Sequence, residues 1–311
     1  MKKNKITVTI GIPVYNEAQN IGYLLQSIRK QKCLSFGLTK ILIISDGSSD
    51  TTADIVKAWQ SKYPIISIKV YKKRRGKTVR LNELYRLNEN DFLFTLDGDV
   101  VLKTSLEIEK LLGVARKTKA QVIAAHQIPC KVTGFVARIL YANHSLWTEV
   151  RTPIAGGNHI LNLQGSATLV SRDFADHLVY PVGITCDQAY LYVKAKAKNT
   201  FAFSPTNQVI YHPLGSFGDW NRLNKRILTE HHTLQIIFGE HITALYDTPS
   251  YYRLRALLIQ LYKDPFFTLL AYGANLIFKF IIPFQKPNVT GLWPTLTSTK
   301  TAISPKMTSV I

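Results

Sequence analysis

Short β-branched runs alternate with amphipathic stretches through the first half of the chain. Ile6 to Ile12 is a β-branched run closed by Pro13, after which Ile21, Leu24, Leu25 and Ile28 fall at helical spacing. Lys40 to Ser45 is a short continuous apolar run, the signature of a strand buried on both faces. Thr51 to Ser61 predicts a helix with Asp50 as its N-cap, and Ile65 to Tyr71 a third strand. Lys77 to Leu87 reads as a helix, Asp91 to Leu96 as a fourth strand, a Thr104-capped segment to Thr118 as a helix, and Gln121 to Ala125 as a fifth strand. Such alternation predicts an α/β fold, with a mostly parallel central sheet flanked by helices.

The second half is less regular. Phe135 to Val150 is helical in pattern, Ala155 to Asn158 is a loop, and Ser166 to Ser171 is strand-like. Asp187 to Lys198 predicts a helix, Val209 to His212 ends a strand, and Trp220 to Phe238 is a helix rich in basic residues and histidine. Pro265 to Phe284 carries one charge, Lys279, and one amide, Asn275, over about the length that crosses a bilayer. The polar interruptions and Gly273 leave two readings: a membrane-embedded or in-plane segment, or a buried helix. Arg253, Arg255, Lys263 and Lys286 around it suit an anionic leaflet. Beyond Lys286 the Pro/Thr/Ser-rich end predicts a flexible tail.

Hydrophobic residues make up 46% and charged residues 19%, which excludes wholesale disorder. Lys and Arg total 39 against 20 Asp and Glu. That excess suits phosphorylated substrates or an anionic membrane surface. No zinc-finger spacing, RNA-binding aromatic motif or heptad accompanies it, so no nucleic-acid partner is expected. Cys33, Cys130 and Cys186 are odd in number and widely spaced, arguing against a disulfide framework and for a reducing compartment. The basic opening is followed by no long apolar stretch, so no signal peptide is expected.

Ligands of open parallel sheets bind beyond the carboxyl ends of the strands. The segments just after the first, second and fourth strands are Pro13 to Glu17, Asp46 to Asp50, and Asp97-Gly98-Asp99. Two carboxylates two residues apart, with Gly98 permitting close backbone approach, can reach one hard cation and the phosphates it bridges. Asp46 can accept a hydrogen bond from a base N–H, though Asp-Gly is also turn chemistry and Asp50 a cap.

The succession Pro13-Val14-Tyr15-Asn16-Glu17, Ser45-Asp46-Gly47-Ser48-Ser49-Asp50, Gly76-Lys77 with Leu81-Asn82, and Asp97-Gly98-Asp99 resembles family 2 glycosyltransferases of the GT-A fold, over about residues 6–240. The resemblance implies that Pro13, Tyr15 and Glu17 line a nucleotide pocket, that Asp46 contacts the base and that Lys77 lies near the donor. It further implies that Asp97 meets the ribose or the metal, and that Asp99 ligates Mn²⁺ or Mg²⁺ in a DxD motif. Ile184 to Gln188 resembles the family's base-bearing segment, which makes Asp187 the general base. Gly165-Ser166 resembles an acceptor-side glycine segment, and His212 sits where some GT-A enzymes place a third metal ligand. Ser45 and Cys186 depart from the family, which often has acids there. Trp220 and Arg222 are expected to border the acceptor, and His231 and His232 to lie on the surface.

The expectation is a metal-dependent inverting transferase. It would move sugar from a nucleotide-sugar donor, a UDP-sugar before a GDP-sugar, to a lipid-linked or cell-envelope glycan acceptor at the cytoplasmic face of the membrane. Residues 1–245 would form the GT-A domain, 246–286 a hydrophobic helical extension and 287–311 the tail. Ser45 and Cys186 keep open a catalytically inactive membrane-associated scaffold. A nucleotidyltransferase is disfavoured because no phosphate-cradling glycine loop occurs early in the chain. A dehydrogenase is disfavoured because no G-x-G-x-x-G follows the first strand.

Overall fold

The computed structural model describes residues 5–281, 296 and 298–303. In chain order the strands are β1 (Ile6–Val14), β2 (Phe36–Asp46), β3 (Ile66–Tyr71), β4 (Phe92–Leu96), β5 (Val100–Leu102), β6 (Val122–Pro129), β7 (Ala167–Ser171) and β8 (Phe201–Tyr211). The helices between β1 and β6 are α1 (Ile21–Arg29), α2 (Thr52–Gln60), α3 (Lys77–Leu87) and α4 (Glu107–Thr118). Then come α5 (Phe135–Arg151), α6 (Arg172–Asp176), α7 (Asp187–Ala197), α8 (Phe217–Phe238), α9 (Ser250–Lys263) and α10 (Pro265–Ile281).

One sheet holds the strands in the order β3-β2-β1-β4-β7-β6-β8-β5. The first four are mutually parallel, as the alternation predicted. β7 is different: it runs antiparallel to both β4 and β6, with Ala167 opposite Leu96. β5 pairs antiparallel with the end of β8. The three residues of β5 are too few to show periodicity in sequence, and only the β8 ladder makes them a strand.

The continuous apolar runs are explained by a sheet covered twice. On one face Ile10, Ile12, Ile43 and Phe94 meet α1, α2 and α4. On the other, Leu42, Ile44 and Leu93 meet α3, α6 and α7. With both faces desolvated, the Ile41–Ile44 run of β2 holds no polar residue, whereas β1 sets the small Thr7, Thr9 and Gly11 between its Ile and Val residues.

α9 and α10 pack against α5, through Ala256 on Leu146 and Val150, and through Phe267 and Ala271 on Ile139 and Ala142. Among the described residues no helix is long and apolar enough to cross a membrane. Residues 282–284 of the expected hydrophobic segment, and Lys286, lie outside the described residues. Part of the expected tail is not loose: Ser298–Lys300 forms a short turn, and Ile303 is buried against Cys130 and Ile210.

Candidate functional site

The carboxyl ends of β1, β2 and β4 open on one rim, and the antiparallel β7 enters from that rim. Pro13 pairs with Ile44 at the end of β1. Asn16 then takes a left-handed conformation, its N–H donating to Ser48 Oγ (3.1 Å) and its Oδ1 accepting from Ser49 N (2.8 Å). The Glu17 N–H donates to Thr52 Oγ1 at 2.8 Å. The two loops are thereby stapled together, and the Arg74 guanidinium covers the Tyr15 ring at 4.1 Å.

Asp46 is buried and its lone pairs are taken. Its carboxylate accepts from Arg75 N (2.9 Å), Gly76 N (2.7 Å) and Arg80 Nε (2.7 Å). Arg80 is 2% exposed and lies over the Tyr71 ring at 3.6 Å. The expected contact of Asp46 with a base N–H therefore has no spare acceptor geometry, and the residue anchors the backbone that leads into Lys77. Sequence reading missed Arg80. A charged residue inside an amphipathic helix carries no signal of a partner 34 positions away.

Lys77 begins α3 and sends its ammonium to three groups at once: Asp97 Oδ1 at 2.7 Å, Asp187 Oδ2 at 3.1 Å and Gly165 O at 2.9 Å. Burial alone would lower its pKa, but the carboxylates of Asp187 and Asp97 outweigh that and hold it above the ordinary lysine value. Burial raises the Asp97 carboxyl, against the pull of Lys77. Asp187 is 3% exposed, and its Oδ1 has no hydrogen-bond partner among the described residues. Gly165 stands tight against the base: a Cβ there would lie 2.9 Å from both Asp187 Oδ2 and Gln188 Oε1 and would displace their ends.

α8 adds a charged pair to this centre. Arg226 Nε donates to Glu230 Oε1 at 3.1 Å, and the guanidinium also feels Asp187 and Asp97. The Glu230 carboxyl is pushed up to about 7, burial raising it more than Arg226 lowers it. Arg226 and Glu230 stand at i and i+4 on a helix expected only to be basic. That spacing was the available signal for the pair, but not for its neighbours.

Asp99 lies across the turn from Asp97, and its carboxyl is pushed up to about 7, by burial first and by Asp97 second. Gly98 between them has no room for a side chain, since a Cβ would meet Glu17 Cγ at 2.7 Å. The ladder pairs Val100 with Tyr211, so one step further sets His212 opposite Asp99. His212 Nδ1 lies 2.9 Å from the Pro213 carbonyl, which can only accept, so Nδ1 is the donor there and Nε2 is the ring nitrogen left to face a ligand. Two crowded carboxylates, with an imidazole on the neighbouring strand end, are donors of the kind a hard divalent cation takes. Among the described residues no three His, Cys, Asp or Glu side chains are gathered to hold an ion as they stand, and Asp97 is engaged by Lys77.

Other expectations fared differently. Trp220 is 5% exposed and packs by Phe217 in the first turn of α8, so it does not line an open acceptor groove. Arg222 pairs with the buried Asp219. His231 is not a plain surface residue, because its ring lies 3.8 Å from that of Tyr246, whereas His232 is exposed.

Comparison with known proteins follows this geometry. The model of the family described as Glycosyl transferase family 2 matches residues 9–179. The SPbeta prophage-derived glycosyltransferase SunS of Bacillus subtilis is 25% identical over 150 residues, 48% of this chain and 31% of that protein. The undecaprenyl-phosphate 4-deoxy-4-formamido-L-arabinose transferase of Yersinia enterocolitica is 25% identical over 215 residues, 68% of this chain and 61% of that protein. The chain thus spans less than two thirds of the length of either relative. The mannosyltransferase PcManGT from Pyrobaculum calidifontis, solved with GDP-Man and Mn²⁺, superposes with a TM-score of 0.58 at 15% identity, over 91% of this chain and 82% of that one. At that identity the likeness is one of fold, and the fold is the GT-A fold that the motifs implied.

Proposed function

Since this chain belongs to glycosyl transferase family 2, we propose that it transfers a sugar, with inversion, from a UDP-sugar to a lipid-linked or cell-envelope glycan acceptor. Asp97, Asp99 and His212 would hold Mn²⁺ or Mg²⁺. That it is a glycosyltransferase with a nucleotide-sugar fold follows from its family and neighbours. The observation that carries our reading is the Lys77 ammonium joining Asp97 Oδ1 and Asp187 Oδ2, which makes one charged centre of the DxD turn and the base.

In this reading Asp187 Oδ1, without a partner among the described residues, takes the proton of the acceptor hydroxyl as that oxygen attacks the anomeric carbon. The bond from that carbon to the diphosphate breaks, and its electron pair leaves with UDP. The bound cation supplies charge neutralisation to the departing diphosphate. Lys77 and Arg226 are the protein's own cations beside it. Gly165 leaves room at Asp187, while Pro13, Tyr15 and Glu17 border the nucleotide side, with Asp46 fixing the loop to Lys77.

A membrane-borne acceptor is supported by the Yersinia relative, named for undecaprenyl phosphate. It is also supported by what α9 and α10 leave uncovered. Tyr251, Leu254, Leu258 and Tyr262 on α9, and Phe266, Leu269, Tyr272 and Leu276 on α10, face solvent, Tyr262 at 92% exposure. From Ser250 to Ile281 the single acid, Asp264, stands against Arg253, Arg255, Lys263 and Lys279. An apolar face with a basic border suits an in-plane contact with an anionic leaflet. Residues 1–245 would then be the catalytic domain, 246–286 the segment resting on the cytoplasmic face and 287–311 the tail.

Screening nucleotide sugars for release of free nucleotide tests this. Release of UDP from one UDP-sugar, abolished by chelation and restored by Mn²⁺, is expected. No release from any donor would favour the inactive scaffold instead.

A further inference from the structure

The far end of the chain returns to the rim. Ser298 N donates to Asp219 Oδ2 (2.8 Å), and Gly215 N donates to Ser298 Oγ (3.1 Å), which ties the turn to the start of α8. Asn20 Nδ2 donates to Lys300 O (3.0 Å) and Ile303 N donates to Asn20 Oδ1 (3.1 Å), which ties it to the start of α1. Between these two anchors the Lys300 ammonium donates to Tyr15 O (3.2 Å) and forms an ion pair with Glu17 Oε1.

Glu17 is what gives this contact its meaning. Its side chain is 5% exposed, its Oε2 has no partner among the described residues, and its Cγ closes the space beside Gly98, the middle of the DxD turn. A buried carboxylate at that place would repel an arriving diphosphate, and a buried charge stripped of its partner is strongly unfavourable. We infer that Lys300 is the built-in counter-charge of Glu17, a positioning residue that makes the rim electrostatically acceptable to the anionic half of the nucleotide donor. The inference rests on the nucleotide-donor reading above and adds to it a residue that no motif of the sequence pointed to.

The neutralised phosphates and not the base should feel the change, so UDP and uridine are the discriminating pair. Calorimetric titration of the full-length chain with Mn²⁺ should find Lys300→Met weaker for UDP by about tenfold or more, as for a lost charge-assisted contact. Uridine affinity should stay unchanged. Lys300→Arg should keep most of the UDP affinity, and Glu17→Gln with Lys300→Met should recover most of what Lys300→Met loses, because no lone buried charge is left. Lys300→Met binding UDP as tightly as the unaltered chain, UDP and uridine weakening together, or a double variant no better than Lys300→Met would each overturn the assignment. An unaltered chain that binds neither UDP nor GDP would overturn the donor reading itself, and this inference with it.

Discussion

Lys77 Nζ stands 3.1 Å from Asp187 Oδ2 while also holding Asp97 Oδ1 at 2.7 Å, so one ammonium spans the two acidic groups on which transfer depends. Lys77→Met removes the shared partner of both. We expect kcat/KM to fall at least ~100-fold, since the protein's nearest cation is gone. Stability should drop by about 3 kcal/mol, as for a broken buried pair. Urea unfolding measures the second effect, and a change under about 1 kcal/mol would show that the pair carries little.

Asp187→Asn and Asp99→Ala should separate the two ends of the site. The first keeps metal-dependent UDP binding and loses turnover by ~10² to 10⁴, the range for a positioned base. The second loses the metal dependence of binding together with transfer, with an unchanged circular dichroism spectrum. Normal turnover by Asp187→Asn would place the base elsewhere.

Gly165→Ala adds one methyl where Asp187 Oδ2 and Gln188 Oε1 would each lie 2.9 Å away. Asp187 must move or turn. Positioning errors of this size at a base cost up to about 10²-fold in rate. The expected signature is a fall in kcat with an unchanged Kd for UDP. A variant with unaltered kcat would mean that Asp187 has room to adapt.

Leu258→Glu with Leu269→Glu places acids on the uncovered faces of α9 and α10, where neither side chain contributes to the core. Flotation with vesicles containing anionic lipid should be lost, while the melting temperature and activity on a water-soluble acceptor persist. Equal flotation of variant and unaltered chain would exclude this face as the contact. A shift from dimer to monomer in light scattering would identify it instead as a contact between copies.

Glu230 supplies a pH test. Its carboxyl sits at about 7 in the folded chain against 4.5 as the ordinary value. The folded state therefore holds its proton longer than the unfolded state does. No penalty exists below about pH 4.5; it grows as pH rises to 7 and is complete above that. Glu230→Gln, which keeps an acceptor for Arg226, should flatten the decline in melting temperature between those values and raise stability above pH 7. Parallel melting curves for the two proteins across that window would refute the assignment.

Local chemistry made much of the molecule legible in advance. β1, β2 and β4 are buried on both faces, so the Ile41–Ile44 run of β2 had to be apolar and the non-apolar positions inside β1 and β4 are small Thr or Gly, while the strand ends had to be polar. This located Pro13 to Glu17, Asp46 and Asp97 to Asp99 before any coordinates. Asp187, at the start of α7, was implied instead by the resemblance of Ile184 to Gln188 to the family's base-bearing segment. Partners were another matter. Asp46 looked like an open acceptor until Arg80 and two backbone amides filled it, and the basic pattern of α8 did not single out Arg226.

The sequence by itself determined the strand–helix alternation from β1 to α4, β5 excepted, and which loops carry acids, because periodicity and turn chemistry act over a few residues. Tertiary structure alone decided that β7 runs antiparallel and delivers Gly165 to the rim, that the β5–β8 register sets His212 opposite Asp99, and that Lys300 reaches Glu17. Those meetings join residues from about 70 to 280 positions apart. Nothing in the neighbourhood of either partner encodes them, since they follow from how the covered sheet closes and where its last segment finds hydrogen bonds.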